Sequence, residues 1–64
     1  MFTAYVRTKA GKITLSALPS TRREAEEAAA NMSKLPDVER VTVAAYGRII
    51  AAFKEGVEID SETH

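Results

Sequence analysis

The sequence contains no cysteine and no tryptophan, and its single histidine is the last of 64 residues. Without cysteine, the chain has neither disulfides nor thiolate ligands for a structural metal. A domain of this length buries only roughly 60% of the surface that its unfolded chain exposes. Oligomerisation or a protein partner is therefore the remaining external source of stability.

Groups suited to catalysis and metal binding are also scarce. The chain has no thiol nucleophile and no internal histidine base, and its serines have no evident base partner. Its three glycines are isolated, which excludes a phosphate-binding loop. The carboxylates of residues 24–27 fit a solvated helix face, and those of residues 58–62 lack the spacing of an EF-hand. We therefore predict no enzyme, no catalytic residue, no metal, no cofactor and no small-molecule substrate.

Long hydrophobic runs are missing as well. No apolar stretch has the length needed to cross a membrane. Met1 is followed directly by an alternating segment that contains Arg7 and Lys9, which does not resemble a signal peptide. These features predict a cytoplasmic protein without a membrane partner.

Acidic residues are absent from the first third of the chain. Residues 1–23 carry five basic side chains and no acid, whereas residues 24–64 carry four basic and nine acidic side chains. The net charge of zero therefore hides a basic and an acidic half. Local charge of this kind governs how partners are steered toward a surface.

Residues 20–35 have the one clear helical pattern. Thr21 followed by Glu24 fits a capping box, and Pro36 ends the helix because it has no N–H and restricts the preceding residue. Apolar residues recur at steps of three and four, which predicts an alanine-rich face packed closely on a sheet. That face consists of Ala25, Ala28, Ala29, Met32 and Leu35.

Two predicted hairpins flank the helix. In the first, residues 2–7 and 12–18 alternate, and a four-residue connection at 8–11 pairs Val6 with Ile13. This register predicts that all apolar residues of the hairpin face the helix. In the second, residues 38–45 and 48–54 pair around a turn at residues 46 and 47. Pairing Val43 with Ile50 turns Ile49, Ala51 and Phe53 to the outer face.

The pattern predicts an α+β fold with element order ββαββ. A four-stranded, mainly antiparallel sheet carries the single helix on one face. The strand order 2-1-3-4 is favoured over 1-2-3-4 because it makes every neighbouring pair antiparallel. Residues 1–54 form the predicted domain. Residues 55–64 form a predicted mobile, acidic tail, with residues 57–59 as an alternative short edge strand.

The outer sheet face is the predicted protein interface. It is less polar than an exposed antiparallel sheet usually is, and an apolar patch bordered by charges suggests a contact surface. The predicted contact residues, which would bind a protein partner or form a homodimer, are Tyr5, Tyr46, Ile49, Ala51 and Phe53. The alternative is that residues 57 and 59 of the tail cover this face.

Nucleic-acid binding is the second prediction. Tyr5 lies among cations on the first hairpin, and aromatic side chains between cations on a sheet face bind single strands in some proteins. The predicted contacts are Arg7, Lys9, Lys12 and Arg48. The acidic tail opposes this interpretation, because it would compete for the same basic surface.

The small ββαββ chain, with its Thr-Arg-Arg-Glu-Ala-Glu helix start at residues 21–26, resembles short accessory proteins of phages and mobile elements. The resemblance covers the whole chain but includes no specific motif. It implies a protein that acts by occupying the surface of another, such as an inhibitor of a host complex. The function predicted first is therefore a non-enzymatic protein-interaction module.

Overall fold

The computed structural model describes residues 1–61, which contain five strands and one helix. They are β1 (Phe2–Thr8), β2 (Ile13–Ala17), α1 (Arg22–Ser33), β3 (Val38–Ala45), β4 (Arg48–Lys54) and β5 (Val57–Ser61). The strands form one antiparallel sheet in the order β2-β1-β3-β4-β5. The predicted α+β class and the order of the first four strands are confirmed.

The predicted count of four strands is wrong, because β5 adds a fifth. Glu55 and Gly56 both have positive φ angles, 53° and 82°, as in the two-residue turns that match the twist of a hairpin. This turn folds Val57–Ser61 back onto β4. Pairing with the β4 backbone therefore stabilises a strand whose apolar content is low. Part of the predicted tail is thus strand, and residues 62–64 lie outside the described range.

Helix α1 begins at the predicted N-cap, Thr21, but only half of the capping box forms, because the Glu24 carboxylate bonds the Thr21 hydroxyl and not the Thr21 backbone N–H. The Thr21 hydroxyl accepts a hydrogen bond from the Glu24 backbone N–H at 3.3 Å and donates one to Glu24 Oε1 at 2.8 Å. The first helical residue, Arg22, forms an ion pair one turn along the helix, with its Nε 2.8 Å from Glu26 Oε2. The helix ends at Ser33, two residues before the predicted end, and the side chain of Leu35 is exposed rather than packed on the sheet.

The core lies between α1 and the middle of the sheet. The helix packs mainly on β3 and to a smaller extent on β4 and β1. Ala25 and Ala29 are fully buried on its inner face, and their small side chains allow the close approach that the sequence predicts. Beneath them lie the larger buried side chains Val41, Val43, Ile50 and Phe53.

The register of the first hairpin differs from the prediction by one residue. Ile13 pairs with Arg7 and not with Val6, and Leu15 pairs with Tyr5. The reason is the loop: Thr8 N–H donates to Lys12 O at 2.8 Å, which leaves three loop residues instead of four. Gly11 closes this loop at a φ of 90°. A shift of one residue turns every side chain of β2 to the other face of the sheet.

The second hairpin keeps the predicted Ala45–Arg48 pair but contains a β-bulge next to it. Ala44 pairs with Ile49 and Val43 pairs with Ala51, so Ile50 is an extra residue on β4. After a bulge of this kind the alternation of the strand is inverted. The predicted outer position of Ala51 and Phe53 is therefore wrong, since both lie in the core under the helix.

Ser33 connects the end of α1 to the β4–β5 turn. Its buried hydroxyl donates to Ala30 O at 2.7 Å and accepts from Gly56 N–H at 2.8 Å. A Cβ atom added to Gly56 would lie 2.6 Å from Lys34 Cε, so the turn also packs tightly on the lysine stem. This contact holds the last hairpin against the helix.

We expect Ser33→Ala to destabilise the protein by about 1–2 kcal/mol, because the partly buried Gly56 N–H would lose its hydrogen-bond acceptor, the Ser33 hydroxyl. Urea unfolding followed by circular dichroism measures the change. The exposed Ser20 provides the control, and Ser20→Ala should alter the unfolding free energy by less than about 0.5 kcal/mol. Equal effects of the two substitutions would contradict the assigned role of Ser33.

Candidate protein-binding surface

The sheet face opposite the helix is open. Residues that pair directly across antiparallel strands have their side chains on the same face, so the observed registers determine its membership. We call this surface the open face; it comprises Thr3, Tyr5, Arg7, Ile13, Leu15, Ala17, Arg40, Thr42, Ala44, Ile49 and Ala52.

Large aliphatic side chains are exposed on the open face. The exposed fractions are 62% for Ile13, 62% for Leu15 and 64% for Ile49. Scattered single apolar residues are normal on protein surfaces, whereas a group on one sheet face marks an interaction site. The open face is therefore the candidate functional surface of the described chain.

A shallow groove of about 290 Å³ runs across this surface. Its lining includes Ala52, which is 1% exposed although its register position faces away from the helix. The groove is lined by Tyr5, Arg7, Ile13, Arg40, Thr42, Ile49 and Ala52. Ile13 and Ile49 are the large aliphatic side chains of this lining, so the groove offers both apolar and basic contacts to an inserted side chain.

Two arginines occupy one end of the groove. Arg7 and Arg40 are direct partners in the β1–β3 pairing, and like charges at such positions repel each other. Arg7 Nε lies 3.9 Å from Glu39 Oε1 in a long, exposed ion pair, and Arg40 has no ion-pair partner among the side chains of residues 1–59. On the adjoining β5, Asp60 holds the register position opposite Ala52.

The predicted interface residues are divided by the structure. Tyr5 and Ile49 lie on the open face, and Tyr46 is exposed in the β3–β4 turn. Ala51 and Phe53 belong to the core and contribute nothing to the exposed surface. Phe53→Asp is accordingly unsuitable for testing association, because it would place a charge beneath the helix.

Sequence reasoning missed Ile13 and Leu15, which it assigned to the helix side. The signal that identifies them is the loop that precedes β2. A glycine with positive φ at the end of a three-residue loop is a common hairpin connection, and Gly11 fits that position. Applying this loop length to the sequence yields the observed register.

Three of the four predicted nucleic-acid contacts lie at one end of the sheet. Arg7 is on the open face, and Lys9 and Lys12 are exposed in the adjacent hairpin connection. Arg48 pairs with Ala45, at the opposite end of β3 from Arg40, so it does not join them. Tyr5 is the one aromatic member of the open face.

A second cleft, of about 720 Å³, lies at the C-terminal end of α1. Its lining mixes charges of both signs, with three exposed lysines and two exposed glutamates: Lys9, Lys34, Lys54, Glu39 and Glu55. Across the described residues, no three side chains of the metal-binding types come together. The helix of the described chain has neither the length nor the apolar character to cross a membrane.

No protein-family model matches this chain. Comparisons with curated proteins and with solved structures find no significant similarity either. The geometry of the open face is therefore the basis for proposing a function.

The adjacent isoleucines of β4 provide a direct test of the bulge. Ile50→Ala should destabilise the protein by about 2–4 kcal/mol, because it opens a cavity in the core. Ile49→Ala, one residue away on the open face, should change stability by less than about 0.5 kcal/mol. Urea denaturation of both variants gives the comparison, and the reverse ranking would disprove the register that defines the open face.

Proposed function

We propose that the chain is a non-enzymatic protein-binding module whose open face takes up an acidic, aliphatic-rich segment of a partner protein. The observation that carries this proposal is the exposure of Ile13 and Ile49 in a groove that ends at Arg7 and Arg40, with Leu15 exposed on the same face. Apolar walls supply affinity, and the arginine pair supplies orientation.

The aliphatic side chains account for most of the expected affinity. Complete burial of one such side chain contributes about 1.5–3 kcal/mol, which corresponds to roughly a tenfold to hundredfold change in the dissociation constant. The groove is shallow, so its occupant is expected to lie across the sheet with one side chain above Ala52.

The charge of the open face favours an acidic partner. A carboxylate placed between Arg7 and Arg40 would relieve their mutual repulsion and is suited to bidentate hydrogen bonding by guanidinium groups. Because both arginines are exposed, this contribution should weaken as the salt concentration rises.

The basic cluster of Arg7, Lys9 and Lys12 supports nucleic-acid binding as a second candidate. Single-strand binders combine such cations with several stacking aromatic side chains. The open face instead offers Tyr5 among aliphatic residues, which suits a protein segment better than bases. Inhibition of a host complex, which the resemblance to accessory proteins implies, stays a prediction.

Selection from a library of displayed random peptides tests the proposal. We expect the selected peptides to be rich in aliphatic and acidic residues. Their affinity should fall at least about tenfold for Ile49→Asp, because a charge replaces an aliphatic side chain that the bound peptide would bury. Fluorescence anisotropy with synthetic copies of the peptides measures the affinities. Arg40→Gln should weaken binding and reduce its salt dependence.

Leu35→Asp is the matched control, since Leu35 is also an exposed aliphatic residue but lies beyond the end of α1. This variant should bind the peptides like the unaltered protein. Failure to select any peptide, or equal binding by Ile49→Asp, would refute the proposal. Tight, salt-dependent binding of a thymidine oligonucleotide without peptide binding would favour the nucleic-acid alternative.

A further inference from the structure

The two edges of the sheet are protected to different degrees. Unpaired backbone groups on an edge strand invite pairing with another strand, and proteins block them with charges, prolines or bulges. Edge strand β5 contains Glu58 and Asp60, and its pairing with β4 is interrupted by a bulge. Edge strand β2 has the sequence ITLSA, with no charge and no proline, and its pairing with β1 is continuous.

The backbone groups available on β2 follow from its pairing with β1. Thr8 N–H donates to Lys12 O at 2.8 Å, and Leu18 N–H donates to Phe2 O at 3.0 Å, which marks hydrogen-bonded pairs at both ends. Hydrogen-bonded and non-bonded pairs alternate along an antiparallel ladder. The backbone N–H and C=O groups of Ile13, Leu15 and Ala17 therefore point to the open edge.

These three residues are self-complementary. When a second copy of β2 runs antiparallel along this edge with a two-fold axis at Leu15, Leu15 meets its own counterpart and Ile13 meets Ala17 of the second copy. Each of the three pairs exchanges two backbone hydrogen bonds. Shifting the strands by two residues in either direction keeps only two such pairs, so the centred register forms the most bonds.

The side chains agree with the same register. Leu15 meets Leu15, and Ile13 meets Ala17, all on the open face, so cross-strand contacts between apolar residues add to the backbone bonds. On the opposite face Thr14 meets Ser16. No charged pair arises within Ile13–Ala17, and the chain has no net charge to oppose self-association.

We infer that the protein forms a two-fold symmetric dimer through antiparallel β2–β2 pairing centred on Leu15, which joins two five-stranded sheets into one. A contact of this kind is isologous, because the same surface of each copy binds the other. It uses the backbone edge of β2, and of the groove lining it involves only Ile13. The dimer would therefore carry two open faces on one side of a continuous sheet.

The absence of cysteine makes this register testable by cross-linking. Directly opposed residues in a hydrogen-bonded antiparallel pair have Cα atoms about 5.5 Å apart, within the range that a disulfide spans. Leu15→Cys should therefore oxidise to a covalent dimer. Ile13→Cys is the matched control, because Ile13 is equally exposed but lies opposite Ala17. It should cross-link with Ala17→Cys and not with itself.

Sedimentation equilibrium of the unaltered chain and of Leu15→Pro completes the test. Proline removes an N–H that points to the open edge and is tolerated on edge strands, so the β1–β2 ladder should persist and the far-ultraviolet circular dichroism should be unchanged. We expect the unaltered chain to dimerise and Leu15→Pro to be monomeric. Leu15→Lys, which sets two like charges face to face, should also be monomeric.

A monomeric unaltered chain at all concentrations studied would overturn the inference. Equal self-cross-linking of Leu15→Cys and Ile13→Cys would overturn it as well. Dimerisation that survives Leu15→Pro and is abolished by Ile49→Asp would instead show face-to-face association through the open face. Ile13 and Leu15 belong to both surfaces, so the Leu15 variants test dimerisation only. Peptide binding is tested by Ile49→Asp and Arg40→Gln, which lie outside β2, so the two proposals fail separately.

Discussion

The width of one helix is the constraint on which the rest of the structure depends. An α-helix with its side chains is about 10–12 Å across, whereas neighbouring strands are about 4.8 Å apart, so one helix covers two to three strands. The sheet has five strands, and α1 packs on β3, β4 and β1. The edge strands β2 and β5 therefore have no helical layer to bury an apolar face.

The local irregularities of the sheet follow this division. The bulge at Ile50 directs Ile50, Ala51 and Phe53 toward the helix, so β4 supplies much of the core from a short stretch. The three-residue loop before β2 has the opposite effect, because it turns Ile13 and Leu15 away from the helix. The bulge in β4 and the short loop before β2 each shift the alternation of side chains between the two sheet faces by one residue. These two shifts determine which residues form the core and which form the candidate binding surface.

The predictable part of the structure is the part governed by local signals. The Thr21 capping box located the helix start, and pairing preferences favoured the observed order of the first four strands. Side-chain alternation could not locate the Ile50 bulge, because Ile49 and Ile50 are chemically identical. It also failed for β2, where burial of every apolar residue was assumed although the helix does not extend over that edge. The fifth strand was predicted only as an alternative over residues 57–59, because backbone pairing, and not apolar content, holds Val57–Ser61.

The position of β1 between β2 and β3 has a consequence for how the chain reaches this structure. Three of the four strand pairings join neighbours in sequence, and each closes a loop of only two or three residues. The pairing of β1 with β3 instead brings Thr8 to Val38 and encloses both β2 and α1. Its closure costs the most chain entropy, and long-range pairing of this kind sets the pace of folding in small domains. The complete sheet therefore forms only when β1 pairs with β3.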